Sequence, residues 1–392
     1  MATAQTLRSF TGLALLSRGF RPFFLGAGLF ALAAVAVWPA VFTGDLNLPT
    51  AFSAIDWHAH EMLFGYGGAV VAGFLLTAIP NWTGRLPVAG AALGGLALLW
   101  LAGRAAVLVS GWIGWPAAAV IDAGFFAVFC AVIAREIIAG KNWRNLKVAA
   151  VVALLAAADA GFFIEAHLRG TADYSARAAL ALIIFLILLF GGRVVPSFPG
   201  NWLAKRGEAR RPAPFDRHDG IVLGVSGVAL VAWVAFPDAR ASGLALLLGG
   251  AGNLYRLARW RGWRTGSDPL VLVLHVAFLL AALGFFAAGA HALWPEAVPA
   301  AAGIHAWAIG GIGMMTLAMM TRATLGHTGR ALAASRGTQA VYALVVVALA
   351  ARIAMAFLPE WTMALMIAAA TAWCLGFAGF VAIYGPMLAK AR

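Results

Sequence analysis

The chain has 392 residues, 63% of them apolar and 11% charged, with a formal net charge of +13. A soluble domain carries roughly 45–50% apolar and about 25% charged residues, and a folded core of this size cannot take such an excess out of water. An ordinary soluble domain is therefore excluded, and the positive charge, lying in short loops between apolar runs, reads as a determinant of membrane orientation and not as a nucleic-acid surface.

Apolar runs of roughly 20 residues recur along the chain, the length an α-helix needs to cross a bilayer. Spans are expected near 22–42, 58–80, 88–109, 113–134, 147–167, 175–195, 219–237, 240–258, 269–291, 299–321, 338–357 and 362–388. Backbone polar groups in lipid must pair within the segment, so each span should be a helix. The expected fold class is all-α, a polytopic transmembrane bundle of about twelve spans. The short alternating segments of a membrane β-barrel are not seen. The first run lacks the short core and small-residue cleavage site of a secretory signal and is expected to be retained.

The longest polar stretch, 196–218, holds Pro196, Pro199, Pro212 and Pro214 and divides six spans from six, with no convincing repeat between them. Of the 28 lysines and arginines, 23 fall to one side and only Arg104, Arg169, Arg177, Arg240 and Arg352 to the other. Positive charge collects on the cytoplasmic side, so both termini and the 196–218 loop are expected there. Trp57, Trp82, Trp143, Trp202, Trp260, Trp263, Trp294 and Trp361 lie near span ends, as in an interfacial aromatic belt. Cys130 and Cys374 sit inside apolar runs without C-x-x-C spacing and read as small buried hydrophobes.

Histidine is the informative residue, because an ionisable group inside a membrane is costly and usually functional. His58 and His60 lie at the outer end of the second span, in Trp57-His58-Ala59-His60-Glu61-Met62. On a regular helix they point about 200° apart, so they serve two sites unless the helix start is unwound. Glu61, three residues from His58, shares its face; it can orient an imidazole or relay protons. His305 enters the tenth span from the same side, His167 and His291 sit at outer span ends, and His275 lies nearer the cytoplasmic face. His218 and His327 fall in cytoplasmic loops. Imidazole suits haem iron, copper and zinc.

Gly310, Gly311 and Gly313 would admit a neighbouring helix or a flat macrocycle. Met314, Met315, Met319 and Met320 follow; thioethers ligate soft metals, although a methionine cluster more often fills space. Arg193 and Arg322, at cytoplasmic span ends, can anchor the membrane interface or hold carboxylates such as haem propionates. The chain has no phosphate-binding Gly-rich loop, no G-x-S-x-G, no H-E-x-x-H and no C-x-x-C-H, so a haem here would be non-covalent.

The segments 57–62, Gly73-Phe74-Leu75-Leu76-Thr77-Ala78-Ile79-Pro80-Asn81-Trp82-Thr83-Gly84, Gly192-Arg193-Val194-Val195-Pro196 and 305–330, with its Met319-Met320-Thr321-Arg322-Ala323-Thr324-Leu325-Gly326-His327-Thr328-Gly329-Arg330, together resemble NnrS family proteins. The resemblance runs from about residue 17 to 385. It implies a twelve-span membrane protein containing haem and copper, linked to nitric oxide metabolism and resistance in bacteria. The family's motif positions correspond to His58, His60, Glu61, Arg193, His275, His305, Arg322 and His327, and the resemblance does not assign haem and copper among them.

On that basis the expected activity is reduction of nitric oxide to N2O at a haem b or haem–copper site in the cytoplasmic membrane. His305 is the expected axial ligand, with His60 next and His275 a further cofactor-binding residue. His58, His60, His305 and His327 are the candidate metal ligands, and Arg193 and Arg322 the candidate propionate partners. Glu61 is the candidate catalytic proton donor. The electron donor, a quinol or a periplasmic redox protein, is not readable. A non-catalytic haem protein that senses or sequesters nitric oxide is the alternative; a secondary transporter is a further one.

Overall fold

A computed structural model describes residues 10–208 and 211–390. Arg8, Arg210 and Arg392, counted above on the cytoplasmic side, lie outside them. Among the described residues there is no strand, and the long helices follow one another with short connections except over 195–216, which holds a two-turn helix, Ser197–Ala204. They are α1 Phe20–Thr43, α2 Ala54–Thr83, α3 Gly90–Leu108, α4 Trp115–Ala139, α5 Leu146–Arg169 and α6 Asp173–Val194. The series continues with α7 Arg217–Ala235, α8 Arg240–Arg259, α9 Pro269–Leu293, α10 Ala300–His327, α11 Arg336–Phe357 and α12 Thr362–Ala389.

Eleven of these are long and apolar enough to cross a membrane. The chain is a multi-pass membrane protein. The exception is α8, expected as a span over 240–258: it is helical, but Gly249, Gly250, Gly252, Asn253 and Arg256 dilute its apolar character. Large apolar side chains face outward along the helices while several charged ones lie within. Leu98, Val120, Val228, Val231, Leu248 and Leu375 are exposed in mid-helix, while Glu61, Arg104, Asp122, Asp159, Asp219 and Arg256 are buried. That inversion suits lipid as the surrounding solvent.

The helix ends follow local chemistry. Ser53 caps α2, accepting from the Asp56 amide at 3.1 Å. Asp216 and Asp219 form a reciprocal capping box on α7. Gly44 and Gly170 end α1 and α5 in the left-handed conformation that a side chain disfavours.

The chain divides into two compact units. One runs to Ala179 and takes in the chain again from Phe380; the other is Leu180–Gly379. In the first, α1 to α5 pack around buried Phe23, Phe64, Phe125, Phe126 and Phe162. In the second, α8 and α9 approach through glycines, Gly243 facing the Gly289 carbonyl and Gly250 the Phe286 ring, the close backbone contact that small residues permit. Trp307 is buried there between Trp233 and Phe285, its indole nitrogen donating to Ala281 O at 3.0 Å.

The tryptophan belt holds in part. Trp143, Trp263, Trp294 and Trp361 are exposed at helix ends, but Trp57 and Trp260 are buried. Arg104 and Arg256 need the same correction. Counted above as topology determinants, they lie inside α3 and α8 and are buried against carboxylates.

Candidate functional site

Two of the histidine-bearing spans, α2 and α10, change helix type directly after a histidine. In α2 a π-helical stretch, Glu61–Gly67, follows His60. In α10 another, Ala306–Gly313, follows His305. A π turn shifts the face presented by later residues and frees backbone carbonyls, and such turns collect at functional sites. In the first, the indole of Trp100 donates to Gly65 O at 2.9 Å.

The π turn in α2 sets up a closed polar cluster. His60 is fully buried, with phenyl rings of Phe52, Phe64, Phe162 and Phe163 around it, the centroids 5.0–5.2 Å away. Its Nδ1 lies 3.0 Å from Glu61 Oε1 and its Nε2 2.9 Å from Asp159 Oδ1. Asp122 Oδ2 stands 3.5 Å from the same Nε2. Arg104 donates to Glu61 Oε1 through one terminal nitrogen and to Asp122 Oδ1 through the other. Gly103 makes this possible, because a side chain there would overlap the Asp122 carboxylate. Two buried oxygens, Asp122 Oδ2 and Asp159 Oδ2, have no hydrogen-bond partner. The cluster can therefore hold a cation or a proton. The ligand atoms of His60, Asp122 and Asp159 lie within 4.8 Å of one another.

Sequence reasoning found only His60 and Glu61 of this group. It also joined Glu61 to His58, on the spacing of a regular helix. The carboxylate meets His60 instead, because the π turn starts at Glu61 and Arg104 draws the carboxylate to that side. His58 stacks on Trp38, ring centroids 4.2 Å apart. Both ring nitrogens of His60 face carboxylates, which leaves neither open to a haem iron.

The remaining candidates lie in the second unit. His275, in α9, has Nδ1 at 3.0 Å from Val271 O, one turn back. Its Nε2 is buried without a hydrogen-bond partner, and the backbone of Gly262 packs against that edge of the ring, where a side chain would overlap it. His305 makes the same backbone contact, Nδ1 to Ala301 O at 2.9 Å. Gly303 faces Ala288 and Gly311 faces Ala281. That register separates His275 and His305 by roughly 16 Å along the helices, at 1.5 Å per residue, too far to ligate one iron. Arg322 stacks over Phe198 at 3.8 Å, and its Nη1 is buried without a hydrogen-bond partner. Arg193 sits over Phe215 at 5.9 Å. His327, at the end of α10, is exposed.

A second buried ion pair gives a contrast. Arg256 Nε donates to Asp219 Oδ1 at 2.9 Å, Nη1 to Asn253 Oδ1 at 3.0 Å and Nη2 to Leu188 O at 3.2 Å. Arg259 adds a contact to the other Asp219 oxygen at 3.3 Å. Here every carboxylate oxygen is occupied, as expected of a structural pair.

A family model described as NnrS protein matches residues 14–392. No curated protein sequence matches the chain.

Proposed function

The chain belongs to the NnrS family, which ties it to nitric oxide metabolism or response, and from that premise we propose that it reduces nitric oxide to N2O at a non-covalent haem b in the cytoplasmic membrane. The overall reaction takes two NO, two protons and two electrons to N2O and water. The electrons come from a quinol or a periplasmic redox protein.

The observation that carries this reading is His275. An axial ligand needs one ring nitrogen fixed as a donor and the other, unprotonated, left for the metal. Val271 O holds Nδ1, and Nε2 is buried with nothing to bond. The register of α9 and α10 places Arg322 roughly 8 Å from His275 along the axis, toward the cytoplasmic end. Its unpaired Nη1 suits a propionate carboxylate. The sequence put His305 first; the buried lone pair and the nearby arginine favour His275. A haem bound here would supply an iron that takes up NO and passes electrons to it. The protein's part is to fix the imidazole, neutralise the propionates and keep the site dry.

The test is direct. The purified protein should show a haem absorbance band and form N2O from NO with an artificial electron donor. His275→Ala should lose the band, and Arg322→Ala should weaken haem retention. NO binding without N2O would point to a sensing or sequestering role, and a protein purified without haem would sink both readings.

A further inference from the structure

We propose that His60, Asp122 and Asp159 bind one divalent first-row cation of the zinc, manganese or ferrous-iron class, at a site separate from the haem.

The donor set fixes the class. It is one imidazole and two carboxylates, with no thiolate or thioether, and such borderline-to-hard donors select these ions over Cu(I). Two of the three ligand separations fit as well. A tetrahedral ion with bonds of about 2.0–2.1 Å holds its ligands roughly 3.3 Å apart. His60 Nε2 lies 2.9 Å from Asp159 and 3.5 Å from Asp122.

The oxygens left over point to a ligand. Asp122 Oδ2 and Asp159 Oδ2 are buried without a hydrogen bond, an expensive state for a carboxylate in an apolar surround. The groups behind them are arranged as supports. Glu61 holds His60 Nδ1, which directs Nε2 at the site. Arg104 takes the other Asp122 oxygen and steadies Glu61. Ligating histidines and carboxylates are ordinarily oriented by such outer partners.

Charge completes the case. With His60 neutral, three carboxylates face one guanidinium, and a doubly charged cation cancels the remainder. The Arg256–Asp219 pair needs no such ion and has no unfilled oxygen.

The test uses the full-length protein in detergent, stripped with a chelator and titrated with Co2+ or Zn2+ alone. One equivalent should bind per chain. Asp122→Asn and Asp159→Asn should each weaken binding at least ~100-fold, and Glu61→Gln about 10–100-fold, with the haem band kept. X-ray absorption on the zinc-loaded wild type needs no variant to fold, and should show nitrogen and oxygen ligands at about 2.0–2.1 Å without a sulfur shell near 2.3 Å. Absent uptake, equal uptake by the Asp variants, or a sulfur shell would each overturn the proposal. His275→Ala should lose haem and keep Co2+ binding, so failure here is distinguishable from failure of the nitric oxide reading.

Discussion

Arg104 donates to Glu61 and Asp122 at once, so its removal strands two buried carboxylates. Breaking a buried pair from one side costs about 3–5 kcal/mol. Arg104→Met should destabilise the apo protein by that amount in denaturant unfolding, and Arg104→Lys should recover only part, since an ammonium lacks the fork. Adding Glu61→Gln and Asp122→Asn to Arg104→Met should restore much of the loss. Outside the membrane, the Arg259 guanidinium holds the Asp216 carboxyl below its ordinary range. A depressed carboxylate stabilises above its unfolded pKa and loses that contribution as pH falls through the folded one. Thermal stability of wild type and Asp216→Asn should therefore differ by a constant amount from about pH 5 to 8 and converge only in strong acid. The charged groups of the cluster were in plain sight in the sequence. Arg104, Asp122 and Asp159 each put a charge in the interior of a different, consecutive apolar run, and both signs are present. No spacing rule joins residues on separate helices, so nothing in the sequence links them to His60.

Periodicity reads helices well and their local type poorly. The apolar runs located each long helix, including α8, whose glycines and arginine weaken it as a span. The π turns after His60 and His305 leave no mark in hydropathy, and they redirect the side chains that matter. Deleting Ile309 should convert the second π segment to regular α-helix, turning His305 by about 100° relative to α10 beyond it. On the proposal that His275 and not His305 would hold a haem, the absorbance band should survive this deletion. Loss of the band would move the axial ligand to His305. Gly289→Leu should drive α8 from α9, because the Gly243 carbonyl occupies the space its side chain needs. Loss of thermal stability in detergent would register that separation.

Across the whole chain the distribution of charge carries two messages. Removing the buried Arg104 and Arg256 from the loop count changes the balance of basic residues from 23 against 5 to 22 against 4, still weighted to one side. A fluorescent protein fused at the C-terminus should accordingly mature and fluoresce on the cytoplasmic side, and a silent fusion would reverse the topology. The buried cluster also bears on how the protein is made. α3 carries Arg104, α4 carries Asp122 and α5 carries Asp159. Each charge costs about 2.5–3.5 kcal/mol when its helix enters lipid alone. Arg104 meets Glu61 of α2, already made, and Asp122 of α4, still to come, and the cluster closes only when Asp159 of α5 reaches His60. The early helices should then linger beside the insertion machinery until α5 emerges and leave it together. Chains truncated before Asp159 would be retained there or degraded, while those ending beyond α5 would partition into the bilayer.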